Sequence, residues 1–241
     1  MRTLVIGDIH SGLKALQQVL LKVQPTTNDL FIFLGDYVDG WSEAVETVSF
    51  LIHFSETHDC IFIRGNHDYL TYRYLKHDDN NPMWEAHGGL STKLSYTSLS
   101  SEEKEKHLQF YENLTNYHID DQNRLFVHAG FTNLKGPEYE FFKNLVFWDR
   151  TLWEVAKSLN YSIPKDNFRY PERLKLFSEI YIGHTALTKI GATIPVNYAN
   201  LWNIDTGAAF TGPLTILDVD TKKFWQSDPV QQLYPNEKGR N

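Results

Sequence analysis

Cysteine is all but missing: Cys60 stands alone among 241 residues, so no disulfide can close within the chain. A reducing, cytoplasmic setting is therefore expected, with Cys60 a buried packing residue at the start of an apolar run. No apolar stretch approaches the ~20 residues that span a bilayer, which excludes a transmembrane helix. No basic region followed by an apolar one precedes Thr3, so no export signal is expected. Cations are outnumbered, 23 Lys and Arg against 30 Asp and Glu, and no run of five or more basic residues occurs. A formal charge of −7 argues against an electrostatic binder of nucleic acid or of a membrane surface. Linkers, internal repeats and low-complexity segments are absent too, so the chain reads as one domain over 1–241. The sequence carries no signal of oligomeric state. What is present is a composition 41% hydrophobic and 14% aromatic, enough for a sizeable core.

That apolar content falls in short runs that end abruptly in polar groups. Ile61-Phe62-Ile63 gives way to Arg64-Gly65-Asn66-His67-Asp68, Thr3-Leu4-Val5-Ile6 to Gly7-Asp8-Ile9-His10, and Leu30 to Leu34 to Gly35-Asp36-Tyr37-Val38-Asp39-Gly40. Leu125-Phe126-Val127 opens into His128-Ala129-Gly130, and Ile180-Tyr181-Ile182 into Gly183-His184-Thr185. Such runs read as buried strands that deliver polar groups to the carboxyl edge of a sheet, where open α/β folds bind ligands.

Between the first runs, Leu13, Leu16, Leu20 and Val23 recur at helical spacing until Pro25, and Ser42 is a candidate N-cap for a helix carrying Val45, Val48 and Ile52. With a third strand over Cys60 to Arg64, the chain begins βαβαβ, which implies a largely parallel sheet with its loops gathered on one edge. Short helices are expected in the aromatic-rich stretch 68–100. Ser100 to Glu103 resembles a capping box, and Leu108, Tyr111 and Leu114 extend a helix from it. Residues 136–178 hold many aromatics and few periodic cues, and are read as an irregular, partly helical cap. From Glu179 onward, runs at 179–182, 192–197, 200–205 and 213–219 predict a second, mixed or antiparallel sheet.

Asp8, His10, Asp36, Asn66, His128 and His184 thus gather at strand ends. Carboxylate, imidazole and amide ligands without thiolates suit manganese, iron or zinc, and argue against a purely structural zinc site. Six ligands are too many for one ion that must keep a position open; they suit two ions about 3.5–4 Å apart sharing a carboxylate.

The joint order Gly-Asp-Ile-His, Gly-Asp-Tyr-Val-Asp, Gly-Asn-His-Asp, His-Ala-Gly and Gly-His-Thr resembles the calcineurin-like metallophosphoesterases, and among them the PPP-type serine/threonine phosphoprotein phosphatases of bacteria and phage. The resemblance runs from Gly7 to about Asp228. It implies an α/β fold, a four-layer α/β/β/α sandwich of two mixed sheets flanked by helices. It further implies that Asp8 and His10 hold one metal, that Asp36 bridges, and that Asn66, His128 and His184 hold the other. Manganese is the expected ion, with iron or zinc as alternatives. A metal-bridging hydroxide would attack phosphorus, His67 would act as general acid, and Asp39 would orient His67. Arg64 and Arg150 would bind the substrate phosphate with their forked guanidinium groups.

One position departs from the pattern: where the motif usually continues Asp-Arg-Gly, Asp39 is followed by Gly40 and Trp41. A weaker phosphate grip is expected, with Trp41 free to stack on an aryl or nucleobase group. Asp205-Thr206-Gly207 is read as structural. The resemblance makes a serine/threonine phosphoprotein phosphatase the leading expectation, favoured by the aspartate at 39, with a phosphorylated protein or a small phosphoester as substrate. A symmetrical dinucleoside polyphosphate hydrolase is the alternative. A non-catalytic interaction module on the same fold is a third reading, weakened because every ligand and His67 are present.

Overall fold

A computed structural model describes residues 1–240. In chain order it forms β1 (Thr3–Ile6), α1 (Leu13–Val23), β2 (Leu30–Phe33), α2 (Ala44–Phe54), β3 (Asp59–Phe62) and α3 (Asn66–His77). The one-turn α4 (Pro82–Trp84), α5 (Leu90–Ser95) and α6 (Ser101–Glu112) follow, then β4 (Tyr117–Ile119), β5 (Arg124–Val127), α7 (Thr151–Lys157) and β6 (Glu179–Ile182). The chain continues through β7 (Val196–Tyr198), β8 (Leu201–Asn203), β9 (Thr215–Asp218), β10 (Phe224–Gln226) and α8 (Val230–Leu233). Two five-stranded sheets result, ordered β10-β9-β1-β2-β3 and β4-β5-β6-β8-β7.

Strand alternation builds the layers. In a strand successive side chains point to opposite faces. Leu4, Ile6, Phe31, Phe33 and Ile216 join the core under α1, α2 and α6, while their neighbours Val5, Ile32 and Leu217 face the other sheet. In the second sheet Leu125, Val127, Ile180 and Ile182 join the core that includes Leu152, Trp153 and Ala156 of α7, and Phe126 and Tyr181 turn inward. Those last two rings stack at 5.0 Å between the sheets. Helix, sheet, sheet, helix is the four-layer order expected from the sequence. α1 is held down by Ala15, Leu16, Val19, Leu20 and Val23, all buried, each large aliphatic contributing about 1.5–3 kcal/mol.

Some sequence expectations are corrected. The run 213–219 does not enter the second sheet: β9 pairs antiparallel with β1 and continues to β10 in the first. Ser42 does not cap α2, whose N-cap is Glu43 without a side-chain cap bond; its hydroxyl donates to Glu237 Oε1 at 2.8 Å instead. Cys60 is half-buried against the helix-side core, and burial pushes its thiol up to about 12. Residues 136–178 form short 3-10 turns around α7. Among the described residues no helix is long and apolar enough to cross a membrane.

The consequence for function lies in strand direction. β1, β2 and β3 are mutually parallel, as are β5, β6 and β8, so six strands release their C-terminal loops toward one edge.

Candidate metal centre

Those loops close on one another. Asp8, His10 and Asp36 form one cluster of ligand atoms, and Asp36, His128 and His184 a second, each with its atoms within 4.8 Å of one another and Asp36 common to both. Asn66 joins them: its Oδ1 is 2.9 Å from His184 Nδ1 and 3.1 Å from His128 Nε2. All six residues predicted as ligands therefore meet at one place.

The local backbone is built for this. His10, Asp36, Asp39 and His184 all have positive φ, between 52° and 71°, a region that non-glycine residues seldom enter and that concentrates at functional sites. The amides of Ile9 and His10 both donate to Asp36 O, at 3.0 and 2.9 Å, which locks the first loop onto the second. A Cβ on Gly183 would sit 2.0 Å from Asp8 Oδ1; only glycine lets that carboxylate come so close.

Ring orientation is also fixed. Nδ1–H of His128 donates to Leu34 O at 2.8 Å, and Nδ1–H of His10 to Asp39 O at 3.0 Å. Nε2 is thereby presented in each case, to Asp36 Oδ1 at 3.4 Å from His128 and to Asp36 Oδ2 at 3.5 Å from His10. Backbone partners that fix the tautomer in this way are typical of metal-binding imidazoles.

Charge balance gives a test of whether cations fit. Burial pushes the Asp8 carboxyl well above its usual range, reinforced by Asp205 and Asp36. Burial opposes ionisation of Asp36 too, but His128 and His67 outweigh it and hold its carboxyl well below the ordinary value. His184 is driven well below its usual value by burial and by His128 and Arg150, and its Nε2 is buried without a partner. Packed carboxylates and an orphaned ring nitrogen are what divalent cations would satisfy.

A cavity of about 340 Å³ opens over the clusters. Its walls include His67, Arg150, Lys189 and Arg240 beside the apolar surfaces of Leu70, Met83, Trp84, Trp148 and Phe210. His67 Nδ1–H donates to Asp39 Oδ2 at 2.6 Å, so the two residues named for acid chemistry are in contact. Arg150 lines the cavity and donates to Thr185 Oγ1 at 2.9 Å.

Two sequence expectations fail here. Arg64 is not part of the cavity wall; its Nη2 donates to the carbonyls of Tyr111 at 2.9 Å, Leu114 at 3.3 Å and Glu112 at 3.4 Å, at the end of α6. Trp41 is fully buried, donates from Nε1 to Ala208 O at 2.8 Å and stacks on Tyr234 at 5.3 Å, so no substrate ring reaches it.

Other residues were missed. Asp205 lines the cavity, its carboxyl raised to about 6 by burial with Gly207 N–H opposing. It follows β8 as His184 follows β6, and that parallel was the available signal. Asp68, at the end of the Gly-Asn-His-Asp motif, accepts from the amides of Gly65 and Asp36 at 2.7 Å and of Tyr37 at 2.8 Å. Trp84 Nε1 donates to Asp39 Oδ2 at 2.6 Å. Nothing in the spacing announced Trp84, His87 or Arg240, all of which line the cavity.

Comparison with known proteins agrees with this geometry. The family model described as calcineurin-like phosphoesterase matches residues 1–193. The chain is 27% identical over 235 residues to the asymmetrical bis(5'-nucleosyl)-tetraphosphatase PrpE of Oceanobacillus iheyensis, covering 91% of this chain and 89% of that protein. Two solved structures share the fold: a metallophosphoesterase from Sphaerobacter thermophilus, at TM-score 0.53 and 18% identity, covering 95% of this chain and 88% of that one, and a protein serine/threonine phosphatase from Saccharomyces cerevisiae, at 0.56 and 14%, covering 90% and 73%. The chain is a metal-dependent hydrolase of the calcineurin-like phosphoesterase family.

Proposed function

We infer that the chain hydrolyses dinucleoside polyphosphates, with a bis(5'-nucleosyl)-tetraphosphate as the type substrate. This puts the dinucleoside polyphosphate reading ahead of the phosphoprotein reading, and replaces the symmetrical cleavage expected from the motifs with asymmetrical cleavage. The observation that carries it is the mixed cavity wall: Arg150, Lys189 and Arg240 offer several cations for a polyphosphate, and Trp148 and Phe210, with the apolar surface of Leu70 and Met83, offer a face for a base. The tetraphosphatase name of the Oceanobacillus relative supports the same substrate class. The substrate is a small phosphoester or phosphoanhydride, not nucleic acid or a membrane.

Two divalent cations, one held by Asp8, His10 and Asp36 and the other by Asp36, Asn66, His128 and His184, would supply an activated water and neutralise phosphoryl charge. The chain's own groups do the rest. Asp39 and Trp84 fix His67 so that Nε2 is its free nitrogen, and His67 lines the cavity, positioned to protonate the leaving oxygen. Arg150 holds phosphoryl oxygens from the side of His184.

A second reading, hydrolysis of phosphoserine or phosphothreonine, is favoured by one observation. A phosphate leaving group needs little protonation, whereas a serine alkoxide needs a great deal, and the buried His67–Asp39 pair is an arrangement for poor leaving groups.

The test is a rate comparison of the manganese-loaded protein on diadenosine tetraphosphate, p-nitrophenyl phosphate and a phosphoserine/phosphothreonine peptide, repeated with His67→Asn. Preference for the dinucleotide, with nucleoside monophosphate and triphosphate as products, is the expected result; two diphosphates would mean symmetrical cleavage. Preference for the phosphopeptide, with a far larger loss in His67→Asn than on the dinucleotide, would overturn the first reading for the second.

A further inference from the structure

The position after Asp39, where the motif usually carries arginine, is Gly40, and the space above it is filled from the far end of the chain. Gly40 has φ +117°, and a Cβ there would meet Arg240 Cγ at 3.3 Å; a Cβ on the facing Gly88 would meet the same atom at 3.2 Å. The aliphatic stem of Arg240 thus runs between two glycines, and its head reaches the cavity wall. Nη1 is 3.5 Å from His10 Nε2, beside the first cluster, and the guanidinium carbon lies 5.5 Å from the ring centre of Phe210.

What the head lacks is an anion. Among the described residues no carboxylate lies within ion-pair distance of it, and its Nε is buried with no hydrogen-bond partner. A buried, unpartnered guanidinium donor is costly unless a ligand satisfies it.

The segment that delivers Arg240 is tied down at each step. Tyr234 stacks on Trp41, and its hydroxyl donates to Glu43 and accepts from the amide of Lys14. The Glu237 carboxylate accepts from Ser42 N–H at 2.9 Å and from Ser42 Oγ–H at 2.8 Å. Arg240 N–H donates to Ala209 O at 2.9 Å. Trp41, Ser42 and Gly40, three neighbours that depart from the usual motif or from its expected roles, therefore share one task, which is to seat residues 230–240.

The geometry points to Arg240 as a phosphate-binding residue of this cavity, taking phosphoryl oxygens of the substrate with its forked donors beside His10, as Arg150 stands beside His184 and Thr185. The assignment rests on the cavity being a phosphate site, though not on which phosphoester fills it. Phosphate is the class of anion that fits, because a guanidinium offers two parallel donors to two oxygens and the neighbouring cluster draws anions to the same place.

The experiment compares wild type, Arg240→Gln and Arg240→Lys, each loaded with manganese. Inorganic phosphate binding is measured by calorimetry and by inhibition of p-nitrophenyl phosphate hydrolysis, and KM and kcat are measured for the same substrate. Arg240→Gln is expected to weaken phosphate binding tenfold or more and to raise KM by a similar factor, with Tm within about 2 °C of wild type. Arg240→Lys is expected to recover only part, since it keeps the charge and loses the fork. Phosphate affinity and KM within twofold of wild type in folded, manganese-loaded Arg240→Gln would overturn the proposal. So would a large fall in Tm with unchanged phosphate affinity, which would make Arg240 a structural clasp. If diadenosine tetraphosphate is not hydrolysed while phosphate affinity still falls in Arg240→Gln, the proposed substrate is wrong and Arg240 keeps its role.

Discussion

Asp39 Oδ2 lies 2.6 Å from Trp84 Nε1, and the same oxygen lies 2.6 Å from His67 Nδ1. One carboxylate oxygen therefore serves two ring donors, while Oδ1 is buried without a partner. Trp84 comes from a one-turn helix capped by Asn81, whose side chain accepts from Met83 N and Trp84 N. Trp84 is a positioning residue: it fixes Asp39, which fixes His67. Trp84→Phe keeps the aromatic bulk and removes one hydrogen bond to a buried charge, of order 1.5–3 kcal/mol. A fall in kcat of about tenfold is expected on the substrate that wild type hydrolyses fastest, with the bound manganese, read by atomic absorption, unchanged. Asp39→Asn should cost more, about a hundredfold, since it loses the charge that stabilises imidazolium. A Trp84→Phe enzyme with wild-type kcat and pH profile would remove Trp84 from this role.

Asp68 ties the second and third loops together. Its carboxylate accepts from the amides of Asp36, Tyr37 and Gly65, and it is fully buried. Asn at this position has a single acceptor oxygen, so at least one amide is left facing an NH2 group. Asp68→Asn is expected to cost about 2–4 kcal/mol in denaturant unfolding without metal. Manganese affinity, measured by calorimetry, should fall by about 10- to 100-fold, because Asp36 loses the loop geometry that presents it. Unchanged affinity would mean that Asp36 is held well enough by its own contacts.

Arg64 now carries the opposite expectation from the one its place in the motif suggests. Its bonds to the last carbonyls of α6 and the loop after it join that helix to the strand end at Ile63. Arg64→Ala should lower Tm by roughly 3–8 °C, the effect of about 1–2 kcal/mol in a chain of this size. KM for p-nitrophenyl phosphate should stay within twofold. A raised KM with no loss of Tm would return Arg64 to the substrate.

The contrast between Arg64 and His184 marks what the sequence could convey. Strand ends were legible because alternation and glycine punctuation are local, and the ligands Asp8, Asp36, His128 and His184 lie one to three residues past them. The direction of a long side chain is not local. Arg64 follows β3 more closely than Asn66 does, yet its guanidinium is claimed by carbonyls about 50 residues later in the chain. Arg240 is the same problem inverted: it stands in a polar stretch with no periodicity, and long-range contacts such as Tyr234 on Trp41 and Glu237 on Ser42 bring it to the cavity. The second sheet was partly legible for the same reason. β6 and β8 show as apolar runs, but no local feature tells that β9 pairs with β1 across more than 200 residues.

His107 lies outside every motif and away from the metal site, and it gives a clean handle on pH. It is buried, with Nε2 2.9 Å from Ser49 Oγ and Nδ1 2.9 Å from Tyr96 Oη. Burial lowers it from 6.5 to about 4, with Glu103 opposing. Between those values the unfolded chain binds a proton that the folded chain does not, so stability falls as pH drops from 6.5 toward 4 and is fully present above 6.5. At 1.36 kcal/mol per pH unit, the loss is of order 2 kcal/mol by pH 4.5. His107→Gln keeps a donor and an acceptor without a titrating group. Chemical denaturation of both proteins without metal, at pH 7.5 and 4.5, should show wild type losing about 2 kcal/mol more than the variant, since every other titrating group is common to both. Equal losses would mean that His107 takes up its proton in the folded protein at its ordinary pKa, with Ser49 and Tyr96 accepting from the charged ring.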